Sequence, residues 1–96
     1  MTLAVGLLVL DFHLPGCASL KEKRGRIGGV RDHVGRQTNV AVCESDFADS
    51  LQQAQWSFVV AAREARLVSQ ALDAIERDVV QRVDAVVTRR QREMDA

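Results

Sequence analysis

His13-Leu14-Pro15-Gly16-Cys17-Ala18-Ser19-Leu20-Lys21-Glu22-Lys23-Arg24 is the stretch that decides how this chain is read. It carries the exit of a strand, a tight turn and the start of a helix. Pro15 and Gly16 suit the central positions of a type II turn, because proline presets its own φ and glycine accepts the positive φ that follows. Ser19 and Glu22 form a capping box, which gives two orphan N–H groups of the helix start a partner. Lys21, Lys23 and Arg24 break the pattern. They occupy the first turns, where the helix dipole disfavours cations by about 0.3–1 kcal/mol each. Cations held at a helix start point to an anion as ligand. Without one they are a solvated charged face.

Upstream, residues 2–13 read as a strand. Leu3, Val5, Leu7 and Val9 fall on one face; Ala4, Gly6, Leu8, Leu10 and Phe12 fall on the other. Both faces are apolar, so the strand is expected to be covered on both sides. Leu14-Pro15-Gly16-Cys17 looks a little like a lipoprotein cleavage box. However, no Lys or Arg precedes the apolar run, and Asp11 and His13 interrupt it, so a buried strand is the better reading. The run is also too short to span a bilayer. A cytoplasmic location without a membrane partner is expected.

Downstream, residues 19–35 read as the first helix, with Leu20, Ile27, Val30 and Val34 on one stripe. Gly25, Gly28, Gly29 and Gly35 weaken it by about 0.8–1 kcal/mol for each interior position, so it depends on tertiary packing. Residues 39–46 form the second strand, with Val40 and Val42 on one side and Glu44 and Asp46 extending their row. Residues 52–61 form the third, with Ala54, Trp56, Phe58 and Val60 on one face. The aromatic pair suits a core, or a nucleic-acid stacking platform. Residues 63–81 form the second helix, buried through Leu67, Val68, Ala71, Leu72, Ile75 and Val79, and poorly capped at its start. Residues 83–90 form a fourth strand, and residues 91–96 a frayed, charged tail.

The order strand, helix, strand, strand, helix, strand predicts a ferredoxin-like βαββαβ sandwich of the α+β class. Its four-stranded antiparallel sheet carries two helices on one face. The expected core is Val40, Val42, Trp56, Phe58, Ile27, Val30, Leu72 and Ile75. The other sheet face is left open, and the apolar second face of strand one then predicts a homodimer.

The chain has 96 residues, which makes residues 1–96 one domain with a small core. Its 13 basic and 13 acidic side chains cancel, which argues against a purely electrostatic nucleic-acid binder. The charge is unevenly spread: residues 21–36 hold Lys21, Lys23, Arg24, Arg26, Arg31 and Arg36 against only Glu22 and Asp32, and residues 44–49 hold Glu44, Asp46 and Asp49 with no base. Cys17 and Cys43 are too few for a disulfide scaffold. With His13 and His33 they show no zinc-site spacing, so no metal or other cofactor is expected.

Nearly the whole chain to about residue 80 resembles the YlxP-like proteins, small bacterial proteins. The signature is His13-Leu14-Pro15-Gly16 followed by Ser19-Leu20-Lys21-Glu22-Lys23-Arg24. Asn39-Val40-Ala41-Val42-Cys43-Glu44, Gln52 with Ala54, and Ala65-Arg66 with Val68 add to it. The departures are Leu51 where tryptophan is usual, Gln53 for a basic residue, Trp56-Ser57 for a small aliphatic residue and glycine, and Ala62-Arg63 for a Ser-Asn cap. The resemblance implies a ferredoxin-like fold. It also implies a role near RNA or the ribosome, since genes of the family tend to sit beside translation and ribosome-maturation genes.

The function expected is a non-enzymatic binding protein that meets RNA or a ribosomal assembly. The contacts would be His13, Lys21, Lys23, Arg24 and Arg31, with Arg26 as a further candidate; DNA is not expected as a partner. The alternative is a homodimeric protein-interaction module without nucleic acid. An enzymatic reading would draw on Glu44 and Asp46 with His13 or Cys17 as base or nucleophile, but nothing fixes a triad, and no catalytic residue is assigned.

Overall fold

The computed structural model describes residues 3–95; the expected strand residue 2 and tail residue 96 lie outside them. Strand β1 spans Ala4–His13, helices α1 Leu20–Ile27 and α2 Gly29–Val34, strands β2 Val40–Asp46 and β3 Gln53–Ala62, helix α3 Ala65–Arg82 and strand β4 Val86–Asp95. The strands make one sheet in the order β2-β3-β1-β4, with every neighbouring pair antiparallel. This is the four-stranded α+β arrangement of a ferredoxin-like sandwich. The first crossover helix is broken at Gly28 into α1 and α2.

Alternation along β1 sets the layers. Ala4, Leu8, Leu10 and Phe12 are buried toward the helices, and Val5, Leu7 and Val9 are half-buried on the opposite face. Ala54, Trp56, Phe58 and Val60 of β3 join the first row. Val68, Leu72, Ile75 and Val79 of α3, with Ile27, Val30 and Val34 of α1 and α2, close over it. The expected core is present, although Val40 and Val42 pack half-buried at its margin because β2 is an edge strand. Gly6 is where α3 comes nearest: a Cβ there would stand 2.5 Å from Val68 Cγ1 and 2.8 Å from Leu72 Cδ1.

The frayed tail is corrected. Residues through Asp95 pair with β1, Val5 opposite Asp95 and Leu10 opposite Arg90, with a bulge at Asp11/Phe12 that leaves Thr88 extra. The charges that suggested a solvated tail are sorted by strand alternation. Arg90 and Arg92 lie on the helix side, where Arg92 meets Asp73 at 2.7 Å and Arg90 meets Glu76 at 3.7 Å. Charged side chains along such an edge also discourage pairing with another chain's strand. On α3, Asp78 contacts His33 and pairs with Arg82 at 3.2 Å. Burial pushes the Asp78 carboxyl up, but Arg82 and His33 outweigh this and hold it below the usual range.

Gly6→Ala tests the close packing of α3 on β1. The added methyl must displace Val68 or Leu72, and overpacking of this kind costs about 1–3 kcal/mol. The urea midpoint should fall by the matching amount, with the slope of the transition unchanged.

Candidate functional site

The turn before α1 forms as its residues dictate. Gly16 takes φ +68°, and Cys17 N–H donates to the Leu14 carbonyl at 3.2 Å. Leu14 N–H donates to the Gln52 carbonyl at 2.9 Å, and His13 Nδ1 lies 3.1 Å from the same oxygen. Ser19 Oγ accepts from Glu22 N–H at 3.0 Å, while the Glu22 carboxylate accepts from Ala18 N–H at 2.8 Å. A hydrogen bond from Cys17 and the one from Ala18 hold the Glu22 carboxyl below its ordinary range. Arg26 ties this corner to the end of α3: it donates to the Pro15 and Asp84 carbonyls at 2.9 and 2.8 Å and pairs with the Asp84 carboxylate at 3.3 Å.

Three residues of the expected chemistry are spent on structure. Arg26 is one. Cys17 is buried; burial first, then its hydrogen bond with Glu22, pushes the thiol up, which makes it a poor nucleophile at neutral pH. Lys23 is the third and corrects the expectation most. It is only 4% exposed, and its ammonium donates to the Phe47 and Ser50 carbonyls, both at 2.8 Å. It therefore cannot meet a phosphate at the surface. The last residue of β2 is likewise engaged. Asp46 Oδ1 accepts from Phe47 N–H at 2.7 Å, and Phe47 takes φ +62°, a left-handed conformation rare for a bulky residue. Lys23 grips that strained turn.

The Lys23 ammonium also lies 3.2 Å from Glu44 Oε2. The charges attract, but its directed hydrogen bonds go to the two carbonyls, and Glu44 Oε2 is left buried without one. Trp56, directly across the β2–β3 ladder from Glu44, has its Nε1–H buried and without an acceptor. A buried donor in that condition costs about 1–3 kcal/mol. Both residues line a groove between the first helices and β2. One lobe, of 270 Å³, is bounded by Leu20, Lys23, Arg24, Ile27, Ala48 and Asp49; the other, of 550 Å³, by Arg24, Gly29, Arg31 and Asp32. The Arg31 guanidinium lies 5.6 Å from the centroid of the Trp56 ring, over its face.

Of the sequence-predicted contacts, Arg24 and Arg31 are brought together on this groove. Lys21 is exposed on α1, and exposed His13 stands at the end of β1. Sequence reasoning missed Glu44 and Trp56 as one wall. The signal was there: Glu44 continues the Val40–Val42 row that faces the core, where a carboxylate needs a cation. Among the described residues no three His, Cys, Asp or Glu come together to hold a metal, and no helix is long and apolar enough to cross a membrane.

The family described as "Protein of unknown function (DUF503)" matches residues 5–92. No curated protein matches the chain. Among solved structures, the de novo designed protein Foldit4 is similar with a TM-score of 0.59 at 9% identity, over 98% of this chain and 97% of its own. A mutant of SnoaB, a cofactor-independent oxygenase from Streptomyces nogalater, is similar with a TM-score of 0.54 at 10% identity, over 96% of this chain and 91% of its own. At such identities both likenesses concern the fold alone.

The buried role of Lys23 predicts that Lys23→Met destabilises the fold. The methionine fills the stem's volume but leaves two carbonyls and Glu44 without the cation. The cost should be about 3 kcal/mol, the low end for breaking a buried pair because Glu44 keeps some contact with water. Chemical unfolding of the variant beside Lys21→Met, which should change little, checks it.

Proposed function

The chain belongs to the family described as Protein of unknown function (DUF503), and from that premise we propose that it is a non-enzymatic binding protein that takes a single RNA strand along Lys21, Arg24 and Arg31. One observation carries the reading. Arg26, Arg66, Arg82, Arg90 and Arg92 are each paired with a carboxylate; of the arginines without an ion pair among the described residues (Arg24, Arg31, Arg36, Arg63, Arg77 and Arg89), Arg24 and Arg31 are the two that line this groove together. Exposed guanidinium groups left unpaired beside an aromatic ring suit a ligand with phosphates and planar bases. The resemblance to YlxP-like proteins, with their translation-associated genes, supports the same reading. A net charge of zero limits the footprint to a few phosphates.

Binding of a labelled single-stranded RNA at several salt concentrations tests it. Arg24→Ala should weaken binding and shallow the salt dependence by about one charge, and Arg31→Ala should weaken it as well. Both variants should stay folded, since neither arginine holds an ion pair. Affinities and salt slopes equal to the parent's in both variants would overturn the reading.

A second reading, pairing of two copies through the open sheet face, is favoured by the row Val5, Leu7, Val9 and Val59. Val59 stands 41% exposed at the middle of β3, beside half-buried Leu7. Sedimentation at micromolar concentration should show a dimer that Val59→Asp dissociates without unfolding. A parent that sediments only as a monomer sinks this reading.

A further inference from the structure

We propose that two copies of this chain join through their open sheet faces around a two-fold axis that runs along the strands, so that Arg89 of each copy pairs with Asp46 of the other. The inference rests on the second reading above and deepens it: it names the orientation of the two copies and the charges that fix it.

The face is apolar at its centre and charged at two opposite edges. Val5, Leu7 and Val9 of β1 lie beside Ala61, Val59 and Ser57 of β3, their partners in register, on the side away from the helices. Asp46 of β2, Gln55 of β3, Asp11 of β1 and Arg89 of β4 are paired in turn and make one row across the sheet. A bulge in β2 sets both Ser45 and Asp46 opposite Gln55. Ser45 Oγ marks the open side there, 2.8 Å from Gln55 Oε1 and 2.6 Å from Ser57 Oγ. Asp46 and Arg89, at the two ends of the row, are exposed, and neither holds an ion pair among the described residues. Phe47 N–H takes Asp46 Oδ1 and leaves the other oxygen, and Arg89 Nη2 donates to Gln91 at 3.4 Å. An unpaired cation on one edge strand and an unpaired carboxylate on the other, in the same row, suit a second copy turned over onto the first.

Symmetry selects how it is turned. A two-fold axis between facing sheets runs either across the strands or along them. Set across, it folds each strand back on its own copy. Centred at Val9, it lays Leu7 on Asp11 of the second copy; centred at Leu7, it lays Glu93, the β4 neighbour of Leu7, on Glu93. Set along the strands between β1 and β3, it exchanges β1 with β3 and β4 with β2. Leu7 then lies on Val59 of the second copy and Val5 on its Ala61, apolar on apolar, and Arg89 arrives over Asp46 twice. The strand directions of the two sheets stay aligned, as in packed sandwiches. Charges along β4 disfavour edge-to-edge pairing, and a net charge of zero sets no long-range repulsion between copies. The groove of Arg24 and Arg31 lies on the helix side of β2, so such a dimer leaves both grooves open.

Sedimentation of charge variants and a thiol crosslink test it. Arg89→Asp sets two like-charge pairs in the interface and should raise the dimer Kd about tenfold, the size expected for reversing two exposed pairs. Asp46→Arg should do the same, and the double variant, with the charges exchanged, should return toward the parent's Kd. Cys43, Ser57, Val9 and Gln91 form the next row, so Cys43 faces Gln91 of the second copy across the gap between packed sheets, about 10 Å. The two Cys43 side chains then stand at opposite edges of the dimer, and Cys17 is buried. A short bismaleimide should leave the parent as single chains and join Gln91→Cys into a covalent dimer. It should fail when Cys43→Ser is added. If Asp46→Arg loosens the turn at Phe47, the crosslink still decides. A parent that sediments only as a monomer overturns this inference and the second reading together. Suppose instead that Val59→Asp dissociates a dimer whose parent crosslinks through Cys43 alone, whose Gln91→Cys variant does not crosslink, or whose charge exchange restores nothing. Any of these overturns the orientation and leaves the second reading standing.

Discussion

A buried ammonium holds the first helix against the turn after β2. Lys23 leaves α1, crosses the edge of the sheet and donates to the carbonyls of Phe47 and Ser50. The turn it grips contains a phenylalanine in a left-handed conformation. Such a conformation persists only where the surroundings over-determine it. The desolvation of Lys23 is offset by two carbonyls and the charge of Glu44, and that arrangement fixes the distance between α1 and the end of β2. The groove exists because these two elements are held apart and not collapsed on each other.

The division of labour among the arginines follows from the same frame. Arg26 closes the corner between the Pro15 turn and Asp84, and Arg90 and Arg92 fasten β4 to α3. These guanidinium groups stand where the chain must be joined to itself. Arg24 and Arg31 stand on either side of the break at Gly28 and hold no ion pair among the described residues, although Glu44, Asp32 and Asp49 line the same groove. Trp56 stands in the core-facing row of β3. An indole here brings an N–H into a wall that has no acceptor for it.

Much of the architecture was legible from residue pattern alone. Period-two alternation in β1 and β3, helical stripes in the two crossover connections, and the Pro15-Gly16 turn with its Ser19–Glu22 cap led to the right sheet and layers. These are local features: each depends on neighbours a few residues away, and propensity and burial act together on them. The broken helix was half legible, since the glycines announced weakness but not that Gly28 would end α1. The last strand was misread because Arg89-Arg90-Gln91-Arg92-Glu93 has the composition of a solvated tail. Its pairing is with β1, far away in the chain, and its alternate arginines find Asp73 and Glu76 only once α3 is docked.

For the site, the sequence by itself determined that cations cluster at the start of the first helix and that Glu44 sits in a core-facing row. Only the tertiary structure decided which cations are available. Lys21, Lys23, Arg24 and Arg26 are neighbours in sequence, yet helical rotation sends each to a different environment: solvent, the strained turn, the groove and the Pro15 corner. A charge run does not contain that information. The partners of Lys23 and Arg26 come largely from segments tens of residues away, and free energy, not sequence proximity, selects which charge is buried and which is left exposed.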